Sequence, residues 1–547
     1  MDHFFRPGLF RVLRPLDPGK KIVLLVTPGS SPDGAAEMTR ILARGFRRTH
    51  QVVVLVVGSG GGATFWKDEA DCCFEIPAVW SHRRVLLQAL LRRLCEVHPF
   101  EAGILHSTVC WNFTEAFSRF DVPFLFCLLG AERDFLNLDE WRWLVWQTDR
   151  VVFPSREALH HLVDQDSVLS NARMVVVPPP QVDHPEIYQS ALMDLTAEVI
   201  KEKACELADR QTILRAKLLH PDYLEPHLRS QQPEEQVRVY TRKWRSGIIP
   251  SRPFPGFNPG MYLDAHPDCR RDPLAHWFDS GQPSGLWRMP LLYPEDTAPP
   301  DARAFRGVAL HIHVYYPDVV PDMLKRLLSN HFRPDLWITV SEACDVSEVA
   351  ALFRDYPGRV EYVQVPNRGR DLGPLITALG PRLVRDYEIV GHIHTKKRLW
   401  HDDGKLGKVW REYLLEHMVG GGGRRMMDRI LAALECDPKL GLIYPERRHL
   451  GTWDDPESHT QRLLARMGLS VSCGLCPDFP AGSFFWARTC ALQPFLELGL
   501  DWADYPDEPA PNQHANLHAL ERLSPLVVAS RGYQNALTYI SGLNCPV

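Results

Sequence analysis

The sequence predicts an α/β protein with two domains built on mainly parallel sheets and a strandless segment between them. Short apolar runs alternate with helical stretches over residues 1–185, and the same alternation returns from about residue 307 onwards. Most of these runs are apolar at consecutive positions, which is typical of parallel strands buried on both faces. A chain of 547 residues is also longer than one hydrophobic core usually serves. We therefore expect three segments, with a sheet in the first and in the third.

The first segment, residues 1–185, is predicted to be a Rossmann-like, doubly wound domain. Its predicted strands are residues 21–27, 51–57, 102–106, 123–128, 150–154 and 174–177. Helical stretches such as residues 34–50 and 83–97 lie between them. Sheets of this kind bind ligands beyond the carboxyl ends of their strands, so a site in this domain is expected there.

The second segment, residues 186–304, is predicted to be a helical and proline-rich connector. The pattern is helical and charged to about residue 235, and proline-rich sequence without strands follows to about residue 300. Residues 257–290 carry Phe257, Tyr262, His276 and Trp277 in an order that resembles a small aromatic module found beside glycosyltransferase domains of bacterial surface polysaccharide proteins. The alternative is an aromatic linker without chemistry.

The third segment, residues 305–547, is predicted to be a second α/β domain. Its predicted strands are residues 308–314, 336–340, 360–365, 388–394, 440–444 and 483–487. Helical stretches again separate the strands. No internal repeat relates this domain to the first.

Charge and composition exclude several classes of protein. The formal net charge of -5 argues against a nucleic-acid binder, whose binding domain is normally strongly basic. No apolar run reaches the roughly 18 residues that a membrane span needs, and the N-terminus lacks a signal-peptide pattern. Thirteen scattered cysteines fit reduced thiols, and Cys473 and Cys476 lack the second pair that a zinc site would need. We expect a cytoplasmic protein, with peripheral membrane contact left open.

Two pairs of histidines and a group of cations stand at predicted strand ends of the third segment. The pairs are His311 with His313 and His392 with His394, and residues two apart share one face of a strand. They are predicted to contact substrate phosphate and hydroxyl groups or to bond within a core, and zinc is a further alternative. The predicted cations are Arg368, Arg370, Lys396 and Lys397. Such cations meet the charge that develops on a leaving diphosphate, although a solvated surface cluster is the alternative.

The remaining candidates are carboxylates, one amide and one aromatic side chain. Asn367 and Asp371 lie in the loop of Arg368, and Asp371 either caps the following helix or binds sugar or ribose hydroxyls. A catalytic base is expected near the end of the domain, and the candidates, in order of preference, are Glu508, Asp478 and Asp507. Trp486 either packs in a buried strand or stacks on an acceptor sugar.

The third segment resembles the rhamnan synthesis F family of bacterial polysaccharide biosynthesis. The resemblance rests on four motifs in order, HIHVYYPD, VPNRGRDLGP, HIHTKK and DFPAGSFFWAR, followed by HALER. It implies transfer of a deoxyhexose such as rhamnose from a nucleotide-sugar such as dTDP-rhamnose to a lipid-linked glycan of rhamnan, O-antigen or lipopolysaccharide type. The implied location is the inner face of the cytoplasmic membrane. The alternative is a non-catalytic assembly or scaffold subunit of the same synthesis complex.

Each sheet domain also resembles part of a known glycosyltransferase fold. The first segment is similar to one half of a two-domain, GT-B-type enzyme. The third can be aligned with inverting family 2 enzymes of GT-A type, whose strand order would make the strands of His313 and His394 neighbours. HIHTKK then stands where those enzymes carry the acidic DxD motif. The resemblance therefore implies an inverting transferase in which lysines replace the metal ion, with no cofactor.

Overall fold

The computed structural model describes residues 10–17, 19–29, 34–58, 62–77, 83–128, 136–166, 169, 172–180, 184–247, 251–294, 305–395, 405–451, 457–471, 474, 476, 478–506 and 515–543. The described residues fall into two compact units. The first unit takes residues 1–216 and 233–249, and the second takes residues 217–232 and 250–547. The segment predicted as a connector is thus divided between the two units.

The first unit is an α/β domain whose described strands form one sheet. The strands are β1 (Phe10–Val12), β2 (Ile22–Pro28), β3 (Gln51–Val57), β4 (Cys72–Ile76), β5 (Phe100–His106), β6 (Phe124–Cys127), β7 (Arg150–Phe153) and β8 (Met174–Val176). Their spatial order is β1-β4-β3-β2-β5-β6-β7-β8, and β1 alone among them is antiparallel to its neighbour. All six predicted strands are confirmed.

Helices cover both faces of this sheet. They are α1 (Ala35–Phe46), α2 (Gly62–Phe65), α3 (Arg84–Val97), α4 (Thr114–Arg119), α5 (Leu138–Gln147), α6 (Arg156–Gln165), α7 (Pro185–Ala216) and α8 (Pro233–Ser246). Consecutive strand residues are buried on opposite sides, since Leu24 and Val53 belong to one apolar cluster while Val23 and Val52 belong to the other. Burial on both faces explains why these strands are continuous apolar runs.

The second unit is also α/β, and its described strands form a mixed sheet. They are β9 (Leu291–Leu292), β10 (Val308–Val314), β11 (Asp335–Ser341), β12 (Val360–Val365), β13 (Ile389–His394), β14 (Leu440–Pro445), β15 (Phe485–Arg488) and β16 (Gln534–Thr538). Their order is β12-β11-β10-β13-β15-β14-β16-β9, with β15 antiparallel to both of its neighbours and the other pairs parallel. The predicted α/β class is therefore confirmed for both sheets.

Helices of the second unit pack on the two faces of its sheet and in the segment before it. They are α9 (Pro259–Ala265), α10 (Pro273–Asp279), α11 (Val320–Leu328), α12 (Val346–Leu352), α13 (Gly380–Asp386), α14 (Lys405–Met418), α15 (Met426–Cys436), α16 (Glu457–Arg466), α17 (Thr489–Leu496) and α18 (Ala515–Ser530), with one π-helical stretch at Pro374–Leu379. In the aromatic module, α9 and α10 are joined by Tyr262 and His276, whose Oη and Nδ1 atoms lie 2.8 Å apart. The rings of Phe257 and Trp277 pack 5.0 Å apart beside them.

Candidate functional site

The two histidine pairs lie side by side on neighbouring strands of the second unit. Strands β10 and β13 are parallel, and their register places His311 opposite His392 and His313 opposite His394. The expectation that these strands are neighbours is confirmed. On the other side of β10, strand β11 places Thr339 opposite His313. The cluster stands toward the carboxyl ends of parallel strands, where α/β sheets bind ligands.

A line of hydrogen bonds connects this cluster to the loop after β12. Nε2 of His392 lies 3.4 Å from Oδ2 of Asp371, and its Nδ1 lies 2.9 Å from Nδ1 of His311. Nε2 of His311 lies 2.8 Å from Oγ1 of Thr339, which is 3.0 Å from Nδ1 of His313. His394 lies beside this line, since its Nε2 is 3.8 Å from Oδ2 of Asp371 and donates to the carbonyl of Gly482 at 2.7 Å. We call the five side chains from Asp371 to His313 the histidine line.

Burial keeps two histidines of the line, His311 and His313, uncharged. His311 and His392 are fully buried and His313 is 7% exposed. Burial lowers the pKa of His311 well below its usual range, and it lowers the pKa of His313 to about 3. Both rings are therefore neutral imidazoles at physiological pH, and each has one donor and one acceptor nitrogen.

The same bonds bear on the zinc alternative. Both ring nitrogens of His311 and of His392 already have hydrogen-bond partners. Among the residues that the structure describes, no group of three or more His, Cys, Asp or Glu side chains is arranged to hold a metal ion. His311, His313 and His392 are therefore joined with Thr339 and Asp371 in one hydrogen-bonded group, and the zinc alternative stays a prediction.

The loop after β12 brings Asp371 to the line and folds against residues 502–505. Gly369 and Arg370 both have positive φ, at 69° and 51°. A Cβ on Gly369 would lie 2.8 Å from the ring of Tyr505, so glycine is required by close packing as well as by conformation. Nη1 of Arg368 donates to the carbonyls of Trp502 and Tyr505 at 3.3 and 3.4 Å.

Asp371 and Asn367, both in the loop after β12, have different hydrogen-bond partners. The carboxylate of Asp371 points to His392, while the π-helical stretch begins after Gly373 without a side-chain cap bond. The two interpretations of Asp371, a helix cap and a ligand of sugar or ribose hydroxyls, both stay predictions. The backbone N–H of Asn367 donates to Oε1 of Glu342 at 3.4 Å.

Four of the predicted site residues, Lys396, Lys397, Asp507 and Glu508, lie outside the described residues. The described residues just before them are well anchored. The Oγ1 of Thr395 accepts the backbone N–H groups of Tyr315 and Tyr316, both at 2.9 Å. The Tyr505 hydroxyl lies 2.9 Å from Oγ1 of Thr377. Cys473 of the CxxC pattern is also outside the described residues, and Cys476 is a buried free thiol.

Asp478 takes part in a buried ion-pair group with Arg252 and Glu446. Nη2 of Arg252 donates to Oδ2 of Asp478, and its Nε lies 3.2 Å from Oε1 of Glu446. Burial raises the pKa of Glu446 to about 7, and the nearby charge of Asp478 adds to that shift. Asp478 is therefore held by a guanidinium. Sequence reasoning missed Glu446, although its position directly after strand β14 was a usable signal.

Trp486 lies in the hydrophobic core. It is 0% exposed, and its indole N–H donates to the carbonyl of Met418 at 2.9 Å. A Cβ on Gly391 would lie 2.8 Å from its ring, so the strand β13 backbone packs directly on the indole. This placement corresponds to the packing interpretation of Trp486, since stacking on a sugar requires an accessible ring face.

Comparison with known proteins supports the resemblance drawn from the motifs. Residues 275–533 match the family model of rhamnan synthesis protein F. The matched range contains strands β9 to β15 and the whole histidine line. The rhamnan synthesis F resemblance is thereby confirmed for this part of the chain.

Curated proteins similar to part of this chain come from Xanthomonas campestris pv. campestris. The uncharacterized protein WxcX of strain B100 is 28% identical over 263 residues, which is 47% of this chain and 35% of that protein. WxcX of strain ATCC 33913 gives the same identity and coverage. The chain thus spans about a third of the length of these relatives.

Three solved structures with low sequence identity and low TM-scores are also similar to this chain. A glycosyltransferase from Rickettsia africae ESF-5 is 12% identical, with 63% of this chain and 68% of that chain covered and a TM-score of 0.22. Staphylococcus aureus MnaA with UDP is 10% identical, with 76% and 87% covered and a TM-score of 0.23. Glucosyl-3-phosphoglycerate synthase from Mycobacterium tuberculosis is 12% identical, with 46% and 76% covered and a TM-score of 0.21.

Within the described parts of the chain, no helix has the length and apolar composition needed to cross a bilayer.

Proposed function

We propose that this chain is a glycosyltransferase of cell-surface polysaccharide synthesis. The observation that carries the proposal is the rhamnan synthesis protein F match over residues 275–533, which contains the polar cluster at the strand ends. The proposed reaction moves a deoxyhexose such as rhamnose, with inversion, from a nucleotide-sugar such as dTDP-rhamnose. The proposed acceptor is a lipid-linked glycan of rhamnan, O-antigen or lipopolysaccharide type. The proposed place is the cytoplasmic face of the inner membrane.

The charges of the site suit a diphosphate leaving group. Breaking the glycosidic bond of a nucleotide-sugar releases negative charge on the diphosphate, and fixed cations stabilise that charge in the transition state. Arg368 and Arg370 stand in the loop after β12, beside the residues that the histidine line reaches. Lys396 and Lys397 follow strand β13 in the sequence and complete the proposed set of cations.

A scaffold subunit is the second candidate function. Two features favour it: the described residues of the first unit form a single Rossmann-like sheet, and the second unit has histidines where an acidic DxD motif would stand. The two functions differ in one measurement. The purified chain should hydrolyse or transfer from at least one nucleotide-sugar of a panel that includes dTDP-rhamnose, and a scaffold would leave every donor intact.

The lysine pair is expected to act in donor binding or turnover. Replacing both Lys396 and Lys397 by alanine should reduce donor affinity or kcat by roughly tenfold or more, because one charge-assisted phosphate contact contributes about 1.5–3 kcal/mol. Lys408→Ala is a matched control, since this lysine of α14 is exposed and its Nζ lies 3.9 Å from Oε1 of Glu412. Equal donor kinetics of the double variant and the control would exclude the diphosphate role.

Metal independence is expected as well. Magnesium and manganese prefer oxygen ligands, and the end of strand β13 offers His392 and His394 in place of carboxylates. Transferase activity should therefore persist in excess EDTA. Loss of activity that a divalent ion restores would contradict a purely cationic site, and restoration by zinc alone would assign the ion to the histidines.

A further inference from the structure

The histidine line has a direction, because one end is an anion. Asp371 is an acceptor at neutral pH, so Nε2 of His392 carries the proton of their 3.4 Å contact. With that one proton on Nε2 of His392, its Nδ1 is bare and accepts the Nδ1–H of His311 at 2.9 Å. The carboxylate thus fixes the tautomers of two rings in succession.

The same logic continues to the end of the line. His311 has its proton on Nδ1, so its Nε2 accepts the hydroxyl proton of Thr339 at 2.8 Å. The Thr339 oxygen then accepts the Nδ1–H of His313 at 3.0 Å. Neutral His313 is left with a bare Nε2, which has no hydrogen-bond partner among the residues that the structure describes. The hydrogen bonds of the histidine line therefore leave one acceptor nitrogen, Nε2 of His313, near the carboxyl end of β10.

We propose that the histidine line is a proton relay that takes the proton of the attacking acceptor hydroxyl at His313 Nε2 and stores it on Asp371. This inference rests on the proposed function, since it assigns the base of that transfer reaction. His313 is then the catalytic residue, and Thr339, His311, His392 and Asp371 are positioning residues that act through it.

The relay balances with one proton moved per hydrogen bond. The acceptor hydroxyl gives its proton to His313 Nε2 as its oxygen forms the new bond to the sugar carbon, and the diphosphate leaves with the bonding electrons. The Nδ1 proton of His313 passes to the Thr339 oxygen, and the Thr339 hydroxyl proton passes to Nε2 of His311. The Nδ1 proton of His311 then passes to Nδ1 of His392. Finally, the Nε2 proton of His392 passes to the carboxylate of Asp371. The three rings end neutral with inverted tautomers, and only Asp371 changes charge.

Burial favours this concerted route over a charged intermediate. An imidazolium at His311 or His313 would be a poorly solvated charge, and the line avoids forming one. A single buried histidine with a lowered pKa is a weak base by itself. Its coupling to a carboxylate supplies the basicity that the isolated ring lacks.

Histidine tautomers give a test that needs no activity. In ¹⁵N–¹H spectra of histidine-labelled protein, assigned with single His→Gln variants, His313 and His311 should be Nδ1–H tautomers and His392 the Nε2–H tautomer. Thr339→Val should release His313 to the Nε2–H tautomer, which neutral imidazole ordinarily prefers, and leave His311 unchanged. An Nε2–H tautomer of His313 in the wild-type protein would overturn the relay.

Kinetics supply the second test, with the donor and acceptor found in the panel assay. Thr339→Val and Asp371→Asn should each lower kcat by roughly tenfold to a hundredfold with donor KM unchanged, and the double variant should be no slower than either single variant. Thr339→Ser should restore turnover to within about threefold. Thr196→Val removes a buried threonine hydroxyl that bonds only within helix α7, and it should leave kcat unchanged.

The outcomes separate the two proposals. Wild-type kcat in Thr339→Val together with a large loss in Glu508→Gln would assign the proton to the carboxylate and overturn the relay. The predicted tautomers in a wild-type protein that transfers from no donor would support the relay as a structure and reject the proposed function.

Discussion

Asp149→Ala is expected to lower the free energy of unfolding of the first unit by about 3–5 kcal/mol, since it leaves buried cations without their counter-ion. The Asp149 side chain is fully buried. Its Oδ1 lies 2.9 Å from Nη1 of Arg242 and 3.4 Å from both Nζ of Lys203 and Nη2 of Arg245. Its Oδ2 accepts the backbone N–H of Phe124 at 3.0 Å. Helices α7 and α8 are thereby attached to the sheet through one carboxylate.

Chemical denaturation measures this effect, with Asp139→Ala as the control. Asp139 is 93% exposed in its side chain and faces Arg142 at 3.8 Å, so its loss should change stability by less than about 0.5 kcal/mol. The three cations hold the pKa of Asp149 well below its usual range. Its stabilisation is therefore present above about pH 4 and is lost on acidification below that. Equal stability of the Asp149 and Asp139 variants would contradict the role of the buried group.

Helix α7 shows why part of the fold was not predictable from sequence. Its buried residues include Lys203, Glu206, Asp209 and Arg210, so the helix has no clean apolar stripe. Without that stripe the segment looked like a charged connector. Its burial depends on pairing with charges such as Asp149 and Arg245, which are distant in sequence.

Most strands and part of the candidate site, in contrast to helix α7, were predictable from sequence. Residues 51–57 and 308–314 were predictable because most positions are apolar, and every position is buried in the structure. The histidine pairs and Asp371 were also found from their positions at strand ends. Thr339 was not, because a threonine in a strand is ordinary by itself. Its place in the site follows from the pairing of β10 with β11, which local sequence does not encode.

Glu446→Gln is expected to remove a pH dependence of stability from the second unit. Burial raises the pKa of Glu446 to about 7 in the folded protein, above its ordinary value of about 4.5. A raised pKa stabilises the fold below about pH 4.5, and that contribution is lost as the pH rises through about 7. The wild-type unit should therefore lose about 2–3 kcal/mol of unfolding free energy between pH 5 and pH 8 from this group.

The physical cause of the raised pKa of Glu446 is burial, which one guanidinium shared by two buried carboxyl groups offsets only in part. Arg252 is fully buried and bonds to Asp478, and its Nε faces Glu446. Oε2 of Glu446 is buried without a hydrogen-bond partner among the described residues, so ionising this group leaves part of the charge uncompensated. A neutral glutamine of the same shape lacks that cost at pH 8 and resembles the protonated acid at pH 5.

Urea denaturation at pH 5 and pH 8 measures the difference between wild type and Glu446→Gln. The wild-type protein should be the less stable of the two at pH 8. The difference between their free energies of unfolding should be smaller at pH 5. Glu412→Gln is the matched control, because Glu412 is a partly exposed residue that faces Lys408 on the surface of α14. The contradicting outcome is a free energy of unfolding that changes by the same amount between pH 5 and pH 8 in wild type, Glu446→Gln and Glu412→Gln. It would show that Glu446 is already ionised at pH 5, with Arg252 neutralising both carboxylates.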